Sequence, residues 1–234
     1  MKKILEIKNL KVKVKQKTII SGVSLSLEKG GVQAILGPNA AGKSSLVKTI
    51  IGLTDYKIYQ GKISFGEKKL NNLTLDKRAK LGIVMIFQSP PEIKGVKLEM
   101  FLNVIRAGKE IKIDSAEKKL LKRDLNIGFS GGEKKLSELL QARALQPKLL
   151  LIDEIDSGLD LVNLKKISKM IKKEFINKGT AILLITHRGE IMKYLKPDLC
   201  HVMIKGKIVC SEPWQKVWQT IKKFGYQRCK KCPK

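Results

Sequence analysis

The chain has 234 residues, long enough for one α/β domain with an inserted lobe but short for two independent cores. Hydrophobic residues at 43% and charged residues at 29% match globular averages, which excludes a disordered or fibrous chain. The 48 Lys and Arg against 21 Asp and Glu leave +27, a field that attracts any polyanion without choosing among them.

Aromatics make up 5% and no basic stretch interleaves with them as base-stacking modules require. The lysines at 8, 11, 13, 15 and 17 therefore read as a solvated strand face, and no nucleic-acid partner is expected. No apolar run approaches the roughly 20 residues that cross a bilayer. The opening Met-Lys-Lys leads into an alternating pattern instead of a signal-peptide block, so a cytoplasmic protein without direct membrane insertion is expected. Cys200, Cys210, Cys229 and Cys232 are too few and too late for a disulfide framework, and reduced thiols are expected.

Leu5, Ile7, Leu10, Val12 and Val14 alternate with polar residues, as do Val23, Leu25 and Leu27, predicting half-buried antiparallel strands. Val32 to Leu36 is a short apolar strand that runs into Gly37, and Ser44 to Ile51 is an apolar-rich helix ending at Gly52. Three more buried strands run up to polar groups: Leu81 to Phe87 before Gln88, Leu149 to Ile152 before Asp153, and Ala181 to Ile185 before His187. Polar groups at four strand ends predict an open parallel sheet with its ligand crevice beyond those ends. Between Gln88 and Ser130 the pattern is helical and charged, an inserted lobe with Leu120, Leu121 and Leu125 as its inner face. Leu161, Leu164, Ile167 and Ile171 keep helical spacing and are expected to cover the sheet, while His201 to Val209, centred on Lys205-Gly206-Lys207, predicts a hairpin.

Gly37, Pro38, Asn39, Ala40, Ala41, Gly42, Lys43 and Ser44, followed by Ser45, fit the Walker A pattern between a strand and a helix. Backbone N–H groups there point at phosphates, Lys43 reaches the β and γ oxygens of ATP, and the Ser44 hydroxyl can ligate Mg²⁺. The apolar strand ending in Asp153 and Glu154 fits Walker B, with Asp153 holding Mg²⁺ through water and Glu154 polarising the attacking water. Ser130, Gly131, Gly132 and Glu133 open a helix and leave donors for a second anion. Since the chain has its own phosphate loop, that second site is explained if it caps the γ-phosphate held by another copy.

Walker A, Gln88, the run 129–133, Walker B, Ser157-Gly158-Leu159-Asp160 and His187 occur in an order that resembles an ATP-binding-cassette (ABC) ATPase over essentially the whole chain. The resemblance implies an α/β P-loop fold of ABC type: a mixed-sheet core, an antiparallel β subdomain and a short inserted helical subdomain. It implies a single domain over 1–234, with the catalytic core in 1–88 and 131–212, the helical subdomain in 89–130, and a C-terminal helix and tail in 213–234. It further implies hydrolysis of ATP to ADP and phosphate. Glu154, His187 and Gln88 would be catalytic, Ser44, Gln88 and Asp153 would face Mg²⁺, and Ser130 to Gly132 with Asp160 would lie across a dimer interface.

Phe129-Ser-Gly-Gly-Glu-Lys-Lys, Asp153 to Asp160, and Gln88 followed by Pro91-Glu92-Ile93 and Gly95-Val96 resemble the SufC family, soluble ABC ATPases of iron–sulfur cluster assembly. So does Phe224-Gly225-Tyr226. That resemblance implies a SufB- or SufB–SufD-like scaffold partner on which ATP-driven dimerisation pulls; the alternative is the ATP-binding subunit of a membrane transporter. The lobe is shorter than usual, and Ala40 and Ala41 stand where Gly and Ser or Cys are usual. No aromatic precedes Tyr56, so the strand that supplies an adenine-stacking ring in many transporter ATPases has none. Cys229-Lys-Lys-Cys232 is a lone pair where a closed metal site takes four ligands, so two free thiols on an exposed tail are expected. Lys135 is expected to pair with Glu154 while the subunit is free.

Overall fold

Alternation in the opening residues produces β1 (Lys3–Val14) and β2 (Lys17–Glu28), antiparallel, with Leu5 opposite Leu27 and Ile7 opposite Leu25 on one buried face. The computed structural model describes residues 2–106, 108 and 113–231. β3 (Val32–Leu36) is buried at every position and feeds the phosphate loop into α1 (Lys43–Ile51). β4 (Tyr56–Phe65) and β5 (Lys68–Lys69) follow and complete a four-stranded antiparallel sheet in the order β2-β1-β4-β5.

A short helix, α2 (Leu75–Lys80), carries Arg78, a buried side chain no sequence pattern announces. Its Nη1 donates to the carbonyls of Thr49 (2.7 Å) and Ile50 (2.8 Å) at the end of α1, and its Nε to Leu73. The Thr49 and Ile50 carbonyls stand at the end of α1, where no further turn follows; Thr49 also accepts from the capping Gly52 N–H at 3.2 Å, and the guanidinium adds donors in place of the missing turn. Burial lowers the Arg78 pKa. Arg78→Met keeps the stem and removes the donors; it is expected to lower stability by about 2–3 kcal/mol. In urea the midpoint should fall at unchanged slope, and an unchanged midpoint would contradict the assignment.

β6 (Ile83–Ile86) returns to the core. The lobe comprises β7 (Ile93–Lys97), α3 (Leu98–Ile105), α4 (Ser115–Leu121) and β8 (Asp124–Leu125), with β7 and β8 antiparallel. Leu120 and Leu125 are inside it, but Leu125 lies on a strand, and Leu121 packs only at the edge. The same cluster takes in Phe129 and, from α5 (Gly131–Leu145), Leu140 and Ala144.

β9 (Leu149–Asp153), α6 (Leu161–Glu174), β10 (Ala181–Ile185), α7 (Glu190–Leu195), β11 (Leu199–Ile204), β12 (Lys207–Glu212) and α8 (Trp214–Phe224) complete the chain. The six-stranded sheet runs β12-β11-β3-β10-β9-β6, parallel except for β12. One apolar layer joins its face to α1 and the antiparallel sheet; a second joins the other face to α5, α6, α7 and α8. Helices or a sheet thus cover both faces, which is why β3, β9 and β10 are buried at every position and apolar except for Gln33 and the terminal Asp153, instead of alternating.

Leu164, Ile167 and Ile171 cover the sheet as their spacing predicts, but Leu161 is 67% exposed, because it stands on the first turn of α6 where the helix leaves the sheet's edge. The hairpin turns on Lys205 and Gly206, both with positive φ (46° and 76°), as a two-residue turn matched to strand twist demands. The expected exposed thiol is corrected: Cys229 is buried in the same layer as Cys200, with Cys210 packed against it, while Cys232 lies outside the described residues. Among the described residues no three His, Cys, Asp or Glu are placed to hold a metal, and no helix is long and apolar enough to cross a membrane.

Candidate functional site

Register levels the strand ends. Ile185 of β10 stands opposite both Ile35 of β3 and Asp153 of β9, and Ile86 of β6 stands opposite Ile152. The residues that follow each strand therefore emerge at one edge and line an open pocket of about 660 Å³. Asn39 to Ser45, Gln88, Glu154, Asp156, Ser157, His187 and Arg188 form its walls. Among the described residues, no aromatic ring lines it.

The phosphate loop is held from below. A Cβ on Gly37 would stand 2.2 Å from the Met203 carbonyl, so only glycine lets the loop approach β11 this closely. Gly206 N–H donates to the Ala41 carbonyl at 2.9 Å, and its own carbonyl accepts from Ser21 N–H at 2.9 Å. The α1 N-cap is Gly42, which offers no side-chain acceptor, leaving the first N–H groups of the helix directed at an incoming anion. Lys43 Nζ donates to the carbonyls of Gly37 (2.9 Å) and Pro38 (3.0 Å) and lies 3.4 Å from His187 Nδ1. Burial pulls the Lys43 pKa down while Glu154 and Asp153 oppose it. The two acids keep an ammonium available in a mostly closed place.

Ser44 Oγ donates to Asp153 Oδ1 at 2.9 Å. Burial raises the Asp153 pKa, with the Ser44 bond acting against the rise. This oxygen-only donor pair fits a hard divalent cation, but no closed cage is found among the described residues, so phosphate oxygens and water would complete the shell. Mg²⁺ with a nucleotide suits such a site better than Mg²⁺ alone.

Glu154 stands just beyond the strand with φ 51°. Its Oε2 accepts from Gln88 Nε2 at 2.7 Å, and its Oε1 pairs with His187 Nε2. Of the three residues expected at the reacting end, Glu154 thus touches both of the others. Lys135 does not join them as expected: its Nζ donates to the Gln88 main-chain carbonyl at 2.6 Å.

Ser130, Gly131, Gly132 and Asp160 are placed elsewhere and do not line this pocket. Ser130 caps α5 in a reciprocal box: its Oγ accepts from Glu133 N–H at 3.3 Å, and Glu133 Oε2 accepts from Ser130 N–H at 2.8 Å. Asp160 caps α6, accepting from Asn163 N–H (2.8 Å) and Asn163 Nδ2 (2.7 Å), bonds that lower its pKa. Ser130, Gly131 and Asp160 are exposed.

Several supports are invisible to motif reading. Asp156 Oδ2 accepts from Thr186 Oγ1 at 2.6 Å, and Thr186 Oγ1 accepts from Gly189 N–H at 3.2 Å, bracing both sides of His187. Asp156 lies in the quoted run from Asp153 to Asp160, so its position was available and its partner was not. From α8 and the tail, the Trp218 ring packs against Gly189, and the Tyr226 hydroxyl faces the Gly37 N–H.

The model of the family described as "ABC transporter" matches residues 20–157. A probable ABC transporter ATP-binding protein of Streptococcus pyogenes serotype M3 is 41% identical over 226 residues, covering 89% of this chain and 88% of that one. The probable ATP-dependent transporter SufC of Escherichia coli strain K12 is 39% identical over 243 residues, covering 95% and 97%. The probable ATP-dependent transporter ycf16 of Guillardia theta is 39% identical over 245 residues, covering 96% of each. Among solved structures, a nucleotide-free ATP-binding cassette from an ABC transporter superposes with TM-score 0.78 at 25% identity, over 94% of this chain and 95% of that one. Likeness of this degree along nearly the full length of both partners gives the pocket its occupant: the chain belongs to the ABC ATPases, within their SufC family, and hydrolyses ATP.

Proposed function

We propose that this ATPase works as a pair of copies on MgATP and uses the closure of the pair to change the shape of a SufB- or SufD-like scaffold during cytoplasmic iron–sulfur cluster assembly. One observation carries the shared site: Ser130 and Asp160 are exposed cap residues that lie off the chain's own pocket, and that pocket is open. A second copy turned about a two-fold axis would offer its α5 N-terminus to the γ-phosphate. Cassettes solved as dimers, including one with ADP and phosphate, share the fold.

Within each copy, Lys43 exchanges the Gly37 and Pro38 carbonyls for phosphate oxygens. Ser44, Gln88 and Asp153 would hold Mg²⁺, which would screen phosphate charge. Glu154, released from His187 as that imidazole turns to the γ-phosphate, accepts a proton from the attacking water. Binding, dimer closure and base release are then one event, and a lone copy turns over slowly.

Ser130→Glu tests the shared site, since a carboxylate there repels a partner's phosphate without touching the chain's own loop. ATP affinity should stay within about twofold while mass by light scattering stays at one chain and turnover falls about tenfold or more. Parental turnover in this variant would sink the proposal. Co-purification with a soluble iron-containing partner supports the scaffold; a polytopic membrane protein in its place supports the transporter reading, which the names of the relatives favour.

A further inference from the structure

β6 stops at Ile86, so the Phe87 N–H and the Gln88 carbonyl have left the strand ladder and need other partners. Both partners come from one face of α5. Glu138 Oε2 accepts from Phe87 N–H at 3.1 Å, and Lys135 Nζ donates to the Gln88 carbonyl at 2.6 Å. The two side chains are three residues apart on the helix and are only 5% (Lys135) and 6% (Glu138) exposed. Enclosing an ammonium and a carboxyl costs several kcal/mol per ion, and apolar side chains of similar volume would fill the same space at less cost, so packing does not account for them.

We propose that Lys135 and Glu138 are positioning residues for hydrolysis: they grip two successive main-chain groups and so aim the Gln88 side chain at Glu154. With the main chain fixed on both sides of the Gln88 Cα, few rotamers remain, and the one adopted puts Nε2 2.7 Å from Glu154 Oε2. Burial drives the Glu138 pKa up to about 7 while Phe87 and Lys135 act against the rise; a carboxyl accepts from an N–H in either protonation state, so the grip does not depend on its charge. Lys135 stands five residues from Ser130 along α5, about 7.5 Å of helix rise, so one helix joins the capped N-terminus to the Gln88 carbonyl. The inference rests on the reading above in which Gln88 and Glu154 meet the γ-phosphate and its water.

Steady-state ATPase at saturating MgATP, with affinity for a fluorescent ATP analogue measured on the same samples, separates positioning from binding. Lys135→Met and Glu138→Leu are each expected to lower kcat about tenfold with the analogue Kd within about twofold, since neither touches the phosphate loop. Glu138→Gln keeps an acceptor for Phe87 N–H and is expected to stay near parental kcat. In a Gln88→Ala background, Lys135→Met should add less than about a further twofold, because its effect passes through a side chain already gone. An unchanged kcat in both single variants, or a full tenfold fall in the Gln88→Ala background, overturns the proposal. Gln88→Ala at parental kcat is a different failure and removes the role given to Gln88 itself. Should Lys135→Met not fold, the contrast between Glu138→Leu and Glu138→Gln decides, and equal rates overturn it.

Discussion

Glu154→Gln is expected to bind MgATP as tightly as the parent and to lose about 10²- to 10⁴-fold in turnover, the range that removal of a general base produces. The substitution keeps shape and an acceptor oxygen, so the contact from Gln88 Nε2, 2.7 Å in the parent, can persist. What disappears is the basic lone pair that takes the water's proton. Since binding and closure precede that proton transfer, the variant should accumulate as a closed pair with uncleaved ATP, seen as doubled mass by light scattering at saturating MgATP and single mass after EDTA. A variant that remains at single mass would refute the shared site; one that retains turnover would move the base elsewhere.

Lys43→Ala should fail earlier, at binding. The side chain sits 4% exposed between two carbonyls that hold it in place before any nucleotide arrives, so its ordering is already complete. Removing it deletes a buried cation facing several phosphate charges, with an expected loss of about 3–4 kcal/mol or 10²- to 10³-fold in ATP affinity. The deletion also removes the ammonium donor from the Gly37 and Pro38 carbonyls, of which Pro38 keeps the Ala41 N–H at 3.3 Å. Titration calorimetry reads this directly, and an affinity within tenfold of the parent would mean that backbone N–H groups of the loop carry the binding. A Lys43→Arg control separates charge from reach, because a forked guanidinium does not fit where one ammonium meets two carbonyls.

The nucleotide-facing parts of the fold were legible because they depend on short-range rules. An apolar run that stops at Gly37, Gln88 or Asp153 marks the end of a buried strand, and parallel strands put such ends at one edge without further information. What escaped depends on distant partners. In β4 Ile63 and Phe65 alternate, but Ile58 lies five residues before Ile63 across a slip in register, so no single period runs through the strand, and its place beside β1 is set by pairing across more than forty residues of chain, as between Val14 and Tyr56. β7 and β8 are too short to carry a period at all. Leu161 fits the helical spacing yet faces solvent, since periodicity tells which residues share a face and not where the covered surface ends. For Lys135 the proximity of an anionic site was readable; that a main-chain carbonyl, and not Glu154, lies within its reach is a matter of side-chain length and helix direction. Cys229 is buried for a similar reason: the segment after α8 folds back against β12 and α8, which a terminal C-x-x-C spacing does not disclose.

The packing of α8 on the catalytic edge has a practical side. The chain's two tryptophans, Trp214 and Trp218, are both on this helix, and the second touches Gly189, two residues from His187. An indole ring in that position changes its emission when the loop against it moves. The unlabelled protein therefore carries its own optical probe of the loop that holds His187, and stopped-flow mixing with nucleotide can time any motion of that loop separately from the release of phosphate.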